Sequence, residues 1–282
     1  MSLIAALSMY DWPERRAEVD AEWATIRDAL RERGVEAPDE LTRGMDEQEL
    51  WRHPSLLFGQ TCWGPMELGL AEHVQVIGQP SYDGIDGGGG EFYSSAIVMR
   101  AGGPTSPSRG EVAPRSGAGG GGESDRDDVH PTPAQSADLP GRADGLARPA
   151  DPPLGEGKGG AFIPLDLLRH ARFAYNGPNS MSGIIGLTRD LEALGESLDI
   201  FADRIESGGH RNSIKAVAEG RADVAAIDCM SWHLARLYEP AAQNVQVVGW
   251  TAKRKGLPFI TAITTTPAVL VALRQAVESI TG

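Results

Sequence analysis

The sequence predicts an α/β protein built on doubly wound, parallel sheets, and three observations carry that expectation. Short apolar runs fit for buried strands alternate with helical patterns along most of the chain. The hydroxyl- and amide-rich corners at Tyr10, Gln60-Thr61, Ser180-Ser182 and Asp228 fall at the carboxyl ends of those runs, where ligands sit in such folds. A single stretch, 101–160, departs from the alternation altogether.

Residues 2–8 read as a short buried strand, followed by Asp11 as an N-cap, Pro13 in the first turn and Glu14 three residues after the cap. Val19, Trp23, Ile26 and Leu30 then recur at helical spacing, and Gly34 is placed to end that helix. Glu47 to Trp51 is expected to be helical, Ser55 to Gly59 a buried strand ending in the corner Gln60-Thr61-Cys62, His73 to Gly78 a strand, and Glu91 to Arg100 one more. Beyond residue 160, strands are expected at Ala171 to Tyr175, Val224 to Asp228 and Val245 to Trp250. Helices are expected at Ser180 to Leu194, ended by Gly195, at Asn212 to Glu219, and at Pro267 to Ile280.

The segment 101–160 holds 14 of the 35 glycines and 9 of the 19 prolines, has no aromatic residue, and offers Val112, Val129, Leu139, Leu146 and Leu154 as its larger aliphatics. Burial of so little apolar surface does not offset the entropy of ordering, so a disordered insertion is expected there. Deleting 105–155 should therefore leave the melting temperature nearly unchanged in a thermal scan, and a large loss would refute the disorder.

The formal net charge is −13, of which the insertion accounts for −3, so the remainder is acidic too. A nucleic-acid binder needs a basic stripe to displace counterions, and Lys253-Arg254-Lys255 is too short to supply one. No apolar run reaches the length of a membrane span. Cys62 and Cys229 have the spacing of neither a zinc site nor a redox pair. The opening Met1 to Ser8 lacks a basic n-region, so a cytoplasmic location is expected for the chain as written and a periplasmic one if its start is truncated. A monomer is expected.

The stretch Tyr175-Asn176-Gly177-Pro178-Asn179-Ser180-Met181-Ser182-Gly183 ends a strand, turns and opens a helix. The first amides of a helix lack intrahelical acceptors and carry the positive end of the macrodipole, so a tetrahedral oxyanion satisfies them, and Ser180 and Ser182 would add hydroxyl donors. An ordinary N-cap would select the same residues. Other bland readings stand beside the functional ones: His210 as the start of a helix, Asp228 as a turn residue or N-cap, Tyr10 as core, Cys62 as a small filler, and Trp232 and Trp250 as packing.

Several separated motifs occur in one order: Ala6 to Glu14, Gly59-Gln60-Thr61-Cys62, Tyr93-Ser94-Ser95, Asn176 to Gly183, Gly208-Gly209-His210, Ser213-Ile214, Gly220 to Asp228, and Gly256-Leu257-Pro258. Together they resemble the phosphate, phosphite and phosphonate-binding proteins of ABC transporters, over nearly everything except 101–160. The resemblance implies a type II periplasmic-binding-protein fold. Residues 1–92 would form lobe 1, completed by 257–282, with a crossing strand at 93–100 and lobe 2 at 161–256. It implies that Ser180, Met181, Ser182 and the amide of Gly183 grip a small phosphorus oxyanion, with His210, Tyr93 and Ser213 helping. Tyr10, Gln60 and Thr61 would close from the other lobe, and Asp228 would face whatever the phosphorus carries. The implied partners are that oxyanion and a membrane permease, with no metal, cofactor or catalytic residue.

Two departures bear on this reading. The loop Tyr82 to Gly90 lacks the second cysteine common in related sequences, so a disulfide to Cys62 is not expected, and Trp63-Gly64-Pro65-Met66 alters one wall of the cleft. An enzyme on the same fold would need a nucleophile. Ser182, His210 and Asp228 can be imagined as a triad, but no GxSxG elbow is present. A cytoplasmic sensor using the same cleft is the third reading.

Overall fold

The computed structural model describes residues 3–102 and 161–281. Most of the expected insertion lies outside the described residues, and the two described segments belong to a single compact unit. In chain order the first segment contains β1 (Ile4–Ala5), α1 (Arg16–Glu32), α2 (Glu47–Trp51), β2 (Leu56–Gln60), α3 (Trp63–Glu67), β3 (Val74–Gly78), β4 (Gly88–Gly89), β5 (Phe92–Tyr93) and β6 (Ser95–Arg100). The second contains α4 (Leu165–Leu168), β7 (Arg172–Tyr175), α5 (Gly186–Ala193), β8 (Asp203–Glu206), α6 (His210–Ala218), β9 (Val224–Asp228), α7 (Cys229–Tyr238), β10 (Val245–Trp250), β11 (Arg254–Lys255), β12 (Phe259–Ala262) and α8 (Pro267–Thr281).

Two sheets organise the molecule. The first runs β1-β2-β12-β3 and the second β10-β6-β9-β7-β8. Each combines parallel and antiparallel pairs: β1 and β2, β7 and β8, and β7 and β9 are parallel, whereas β12 and β6 run against their neighbours. The antiparallel members arise because the chain crosses between sheets twice. It leaves β3 to reach β6, and leaves β10 to return as β12. The two crossings pair with each other, Tyr93 opposite Arg254 and Phe92 opposite Lys255, in a small sheet β11-β5-β4. The strand expected over Glu91 to Arg100 is therefore two: the chain breaks at Ser94, whose amide donates to the Gly87 carbonyl at 2.8 Å, and β6 goes on in the second sheet.

Apolar residues cover both faces of each sheet, as a doubly wound arrangement requires. Val19, Trp23, Ile26 and Leu30 are all buried and pack with Phe58, Leu273 and Val277 on one face of the first sheet, while Leu50, Trp51, Met66 and Leu70 cover the other. Each such side chain contributes on the order of 1.5–3 kcal/mol by burial. Gly34 ends α1 at φ +75°, a conformation that a β-carbon disfavours. Asp11 does not cap α1, contrary to expectation. Its carboxylate takes Arg43 at 2.5 and 3.2 Å, and α1 begins from a 3₁₀ turn at Pro13–Arg15 with no side-chain cap. A charged fork outcompetes a neutral amide for the same oxygens. Two strands the sequence pattern did not reveal, β8 and β12, complete the sheets, and α7 follows Asp228 directly.

Candidate functional site

The turn that closes β7 opens a helix whose first five residues, Met181–Ile185, form a π-helical turn before α5. Ser180 is the N-cap, its hydroxyl accepting from the Gly183 amide at 3.0 Å. The wider turn comes from a shared acceptor: the amides of both Ile184 and Ile185 donate to the Ser180 carbonyl. The Asn176 side chain lies against Gly183, well inside the space of a methyl group, so a β-carbon there would force that amide to move.

His210 begins α6, so its imidazole leaves the helix start and meets this turn. Its Nε2 lies 2.8 Å from Ser182 Oγ and 3.4 Å from Asn176 Nδ2. Burial holds the His210 pKa down at about 4, so the ring is neutral at physiological pH. Nδ1 makes no well-aligned hydrogen bond. The direction of the bond to Ser182 follows the tautomer: a proton on Nε2 makes His210 the donor to Ser182 Oγ and leaves the serine hydroxyl hydrogen free for the cavity.

Asp228 ends β9 and caps α7, its Oδ1 accepting from the Ser231 amide at 2.7 Å. Its Oδ2 accepts from the Tyr10 hydroxyl, 3.0 Å away on the chain that follows β1 in the other half. Burial pushes the carboxyl up to about 6 despite these donors. Tyr10 is itself held well above its ordinary value by burial and by the Asp228 charge.

These groups share one cavity of about 280 Å³ between the two halves. Tyr10, Ser180, Ser182, His210 and Asp228 line it, together with Asn176 and Trp12, which the residue-by-residue expectation omitted. Asn176 was legible as part of the strand-ending turn, but nothing in the sequence says that its amide turns inward. The other expected residues do not line this cavity. Ser213 is fully buried and bonds to Ser207 Oγ at 2.7 Å. Tyr93 is stacked on Tyr82 with its hydroxyl buried and unpartnered, and Thr61 is fully buried with its own hydroxyl unpartnered. Gln60 donates from Nε2 to the Leu257 carbonyl at 3.4 Å and faces a different cavity. Met181 and Gly183 supply backbone to the turn and do not line the space.

Among the described residues, the only cation on the lining is Arg211, and it is engaged. It pairs with Glu14 at 2.8 and 3.0 Å and with Glu239 at 2.6 Å, and lies over the Trp12 ring at 4.7 Å. The cavity thus presents hydroxyls, an amide, a neutral imidazole and the buried Asp228 carboxylate, with no unpaired cation among its described lining residues.

The halves touch closely around the cavity. The Cys62 thiol donates to the Asn179 carbonyl at 3.9 Å, Arg189 pairs with Glu67, and Gly64 packs directly on the Asn179 carbonyl. Burial raises the Cys62 pKa to about 11, so it is a thiol and not a nucleophile. Among the described residues no cluster of His, Cys, Asp and Glu has metal-binding geometry, and no helix is long and apolar enough to cross a membrane.

Residues 67–281 match the family model described as an ABC transporter, phosphonate, periplasmic substrate-binding protein. Among solved structures, the chain is similar to PhnD1 from Prochlorococcus marinus in complex with methylphosphonate. That likeness has a TM-score of 0.59 at 14% identity and covers 99% of this chain and 83% of that one. It is also similar to a binding protein component of an ABC phosphonate transporter from Pseudomonas aeruginosa, with TM-score 0.58, 13% identity, and 97% and 72% covered. The periplasmic VFT2 domain of BvgS from Bordetella pertussis gives TM-score 0.52, 12% identity, and 99% and 87% covered. At these identities the likeness is one of fold, that of the periplasmic binding proteins. A search of curated proteins returns no match. With a family model that covers most of the chain, taking in the second sheet, both crossings, and β3 and β12 of the first sheet, the chain belongs to the periplasmic phosphonate-binding family, the substrate-binding components of ABC transporters.

Proposed function

We propose that this protein captures a small phosphorus oxyanion, a phosphonate, phosphite or phosphate, in the cavity between its two halves and presents the closed form to an ABC-type permease. The observation that supports this most directly is convergence: the Ser180-Ser182 turn, His210 and Asn176 from one half and Tyr10 from the other border one space of about 280 Å³. Hydroxyl and amide donors fixed in a water-poor cleft suit an oxyanion because charge-assisted hydrogen bonds run about twice the strength of neutral ones. Hinge motion at the paired crossings would open and close it. The buried carboxylate of Asp228 disfavours a fully ionised phosphate, so an aminoalkylphosphonate or a protonated oxyanion is the preferred ligand. The family is a transporter component rather than an enzyme, and with the His210 proton on Nε2 the imidazole donates to Ser182, whose hydroxyl then donates to the anion.

The double variant Ser180→Ala with Ser182→Ala should weaken oxyanion binding by about 2–4 kcal/mol while the fold stays intact. Titration calorimetry with methylphosphonate, phosphite, aminoethylphosphonate and phosphate reads this, and unchanged affinity would remove the turn from the site. Turnover of phosphate or carboxyl esters that disappears in Ser182→Ala would instead favour an enzyme.

A further inference from the structure

A second cavity, of about 670 Å³, lies on the far side of Tyr10 from the oxyanion space. The two are neighbours by construction. Tyr10 lines both, and the first turn of α7 stands between them, with Asp228 and Ser231 lining the smaller space and Met230 the larger. Tyr82 lines the larger one, and its hydroxyl lies 3.2 Å from that of Tyr10 while accepting from the Leu257 amide at 3.0 Å. The partition thus combines the first turn of α7 with the Tyr10 phenol, and its side-chain part is held by hydrogen bonds to Asp228 and Tyr82.

The chemistry of the larger space differs from that of the smaller. Leu7, Val19, Ile26 and Phe259 form an apolar floor, and Gln60 is the buried amide on its wall. At the mouth, Arg15 is paired with Glu22 at 3.0 Å, and Glu22 and Asp83 are acidic, so among the described residues no free cation is available to hold a second anion. An apolar floor behind a polar mouth suits a hydrocarbon body, not a charged group.

Resting on the oxyanion reading above, we propose that this second cavity receives the organic substituent of the ligand, so that the natural substrate is a phosphonate or phosphomonoester with an apolar substituent of several carbons, threaded past a displaced Tyr10. The phosphorus oxygens stay with Ser180, Ser182 and His210. Gln60 then meets the substituent rather than the oxyanion. Displacing Tyr10 breaks its bond to Asp228, so very short substituents gain nothing from the second cavity and longer ones gain with each methylene they bury.

The test is a calorimetric series on the full chain with methyl-, butyl- and hexylphosphonate. Thr25→Trp and Ser81→Trp serve as variants, both exposed residues at the mouth and outside the oxyanion space. Hexylphosphonate should bind at least roughly tenfold more tightly than methylphosphonate, the net of about five added methylenes over one displaced hydrogen bond. Each tryptophan variant should lower hexylphosphonate affinity by about fivefold or more through occlusion of the mouth, with methylphosphonate unaffected. Methylphosphonate binding with no gain along the series, or tryptophan variants that weaken both ligands equally, would overturn the second cavity while leaving the oxyanion site standing. Failure of every member of the series, and of phosphite and phosphate, would overturn both.

Discussion

Gly64→Ala is expected to cut methylphosphonate affinity by roughly 30- to 150-fold, about 2–3 kcal/mol, without lowering the stability of the unliganded protein. The two halves of this result have different physical sources. Gly64 lies in α3 with backbone angles open to any residue, so alanine there favours the helix by about 0.5–1 kcal/mol. A methyl group at the same position would drive into the Asn179 carbonyl, and the Met181 amide nitrogen stands 3.0 Å from it, both on the turn proposed to hold the oxyanion in the opposite half. The clash exists only while the halves are together, so the substitution shifts the population toward the open form and the ligand must reverse that shift at its own expense. Thermal unfolding without ligand and calorimetry with it separate the two effects. Unchanged affinity would mean that the oxyanion turn yields at no cost, and the direct contact would lose its role in closure.

The second large effect concerns pH. Burial raises Asp228 from 3.8 to about 6 and lowers His210 from 6.5 to about 4, displacements worth about 3 kcal/mol each. Their signs oppose. Asp228 contributes stability that is complete below pH 3.8 and is lost as pH rises through 6. His210 contributes stability that is complete above 6.5 and is lost as pH falls through 4. Across the shared interval the two slopes cancel, each about 1.4 kcal/mol per pH unit. Asp228→Asn should therefore exceed the wild type in stability by about 3 kcal/mol at pH 8 and match it below pH 4. His210→Gln should match it at pH 8 and exceed it by about 3 kcal/mol near pH 4. Urea unfolding at several pH values reads these differences directly. A variant-to-wild-type gap that stays constant with pH would show that the residue does not titrate as its burial demands.

Much of this molecule was legible before any coordinates. The spacing of Val19, Trp23, Ile26 and Leu30 located α1, and the hydroxyl-rich turn before Ile184 located the helix start that now borders the cavity. The bland readings of Ser180, His210 and Asp228 also hold: Ser180 caps, His210 opens α6, and Asp228 caps α7, while all three line the cavity. A cap and a binding group need the same chemistry at a helix start, so one does not exclude the other. Gln60, Thr61, Tyr93 and Ser213 were harder to place, because a motif gives the corner and not the direction of a side chain. β12 was missed because four residues of mixed character, Phe259 to Ala262, carry no period of their own and become a strand by fitting between β2 and β3.

The sequence alone determined the alternating elements, the acidic balance, the capped turn at Ser180 and the family, because each rests on local periodicity, composition or motif order. Only the tertiary structure decided that Tyr10 spans to Asp228, that Arg211 is neutralised by Glu14 and Glu239, and that Gly64 meets Asn179. These pairs lie far apart along the chain. The contacts of Tyr10 with Asp228, Arg211 with Glu14 and Gly64 with Asn179 depend on how two sheets are set against each other by paired crossings, and no local property of either residue encodes that distance.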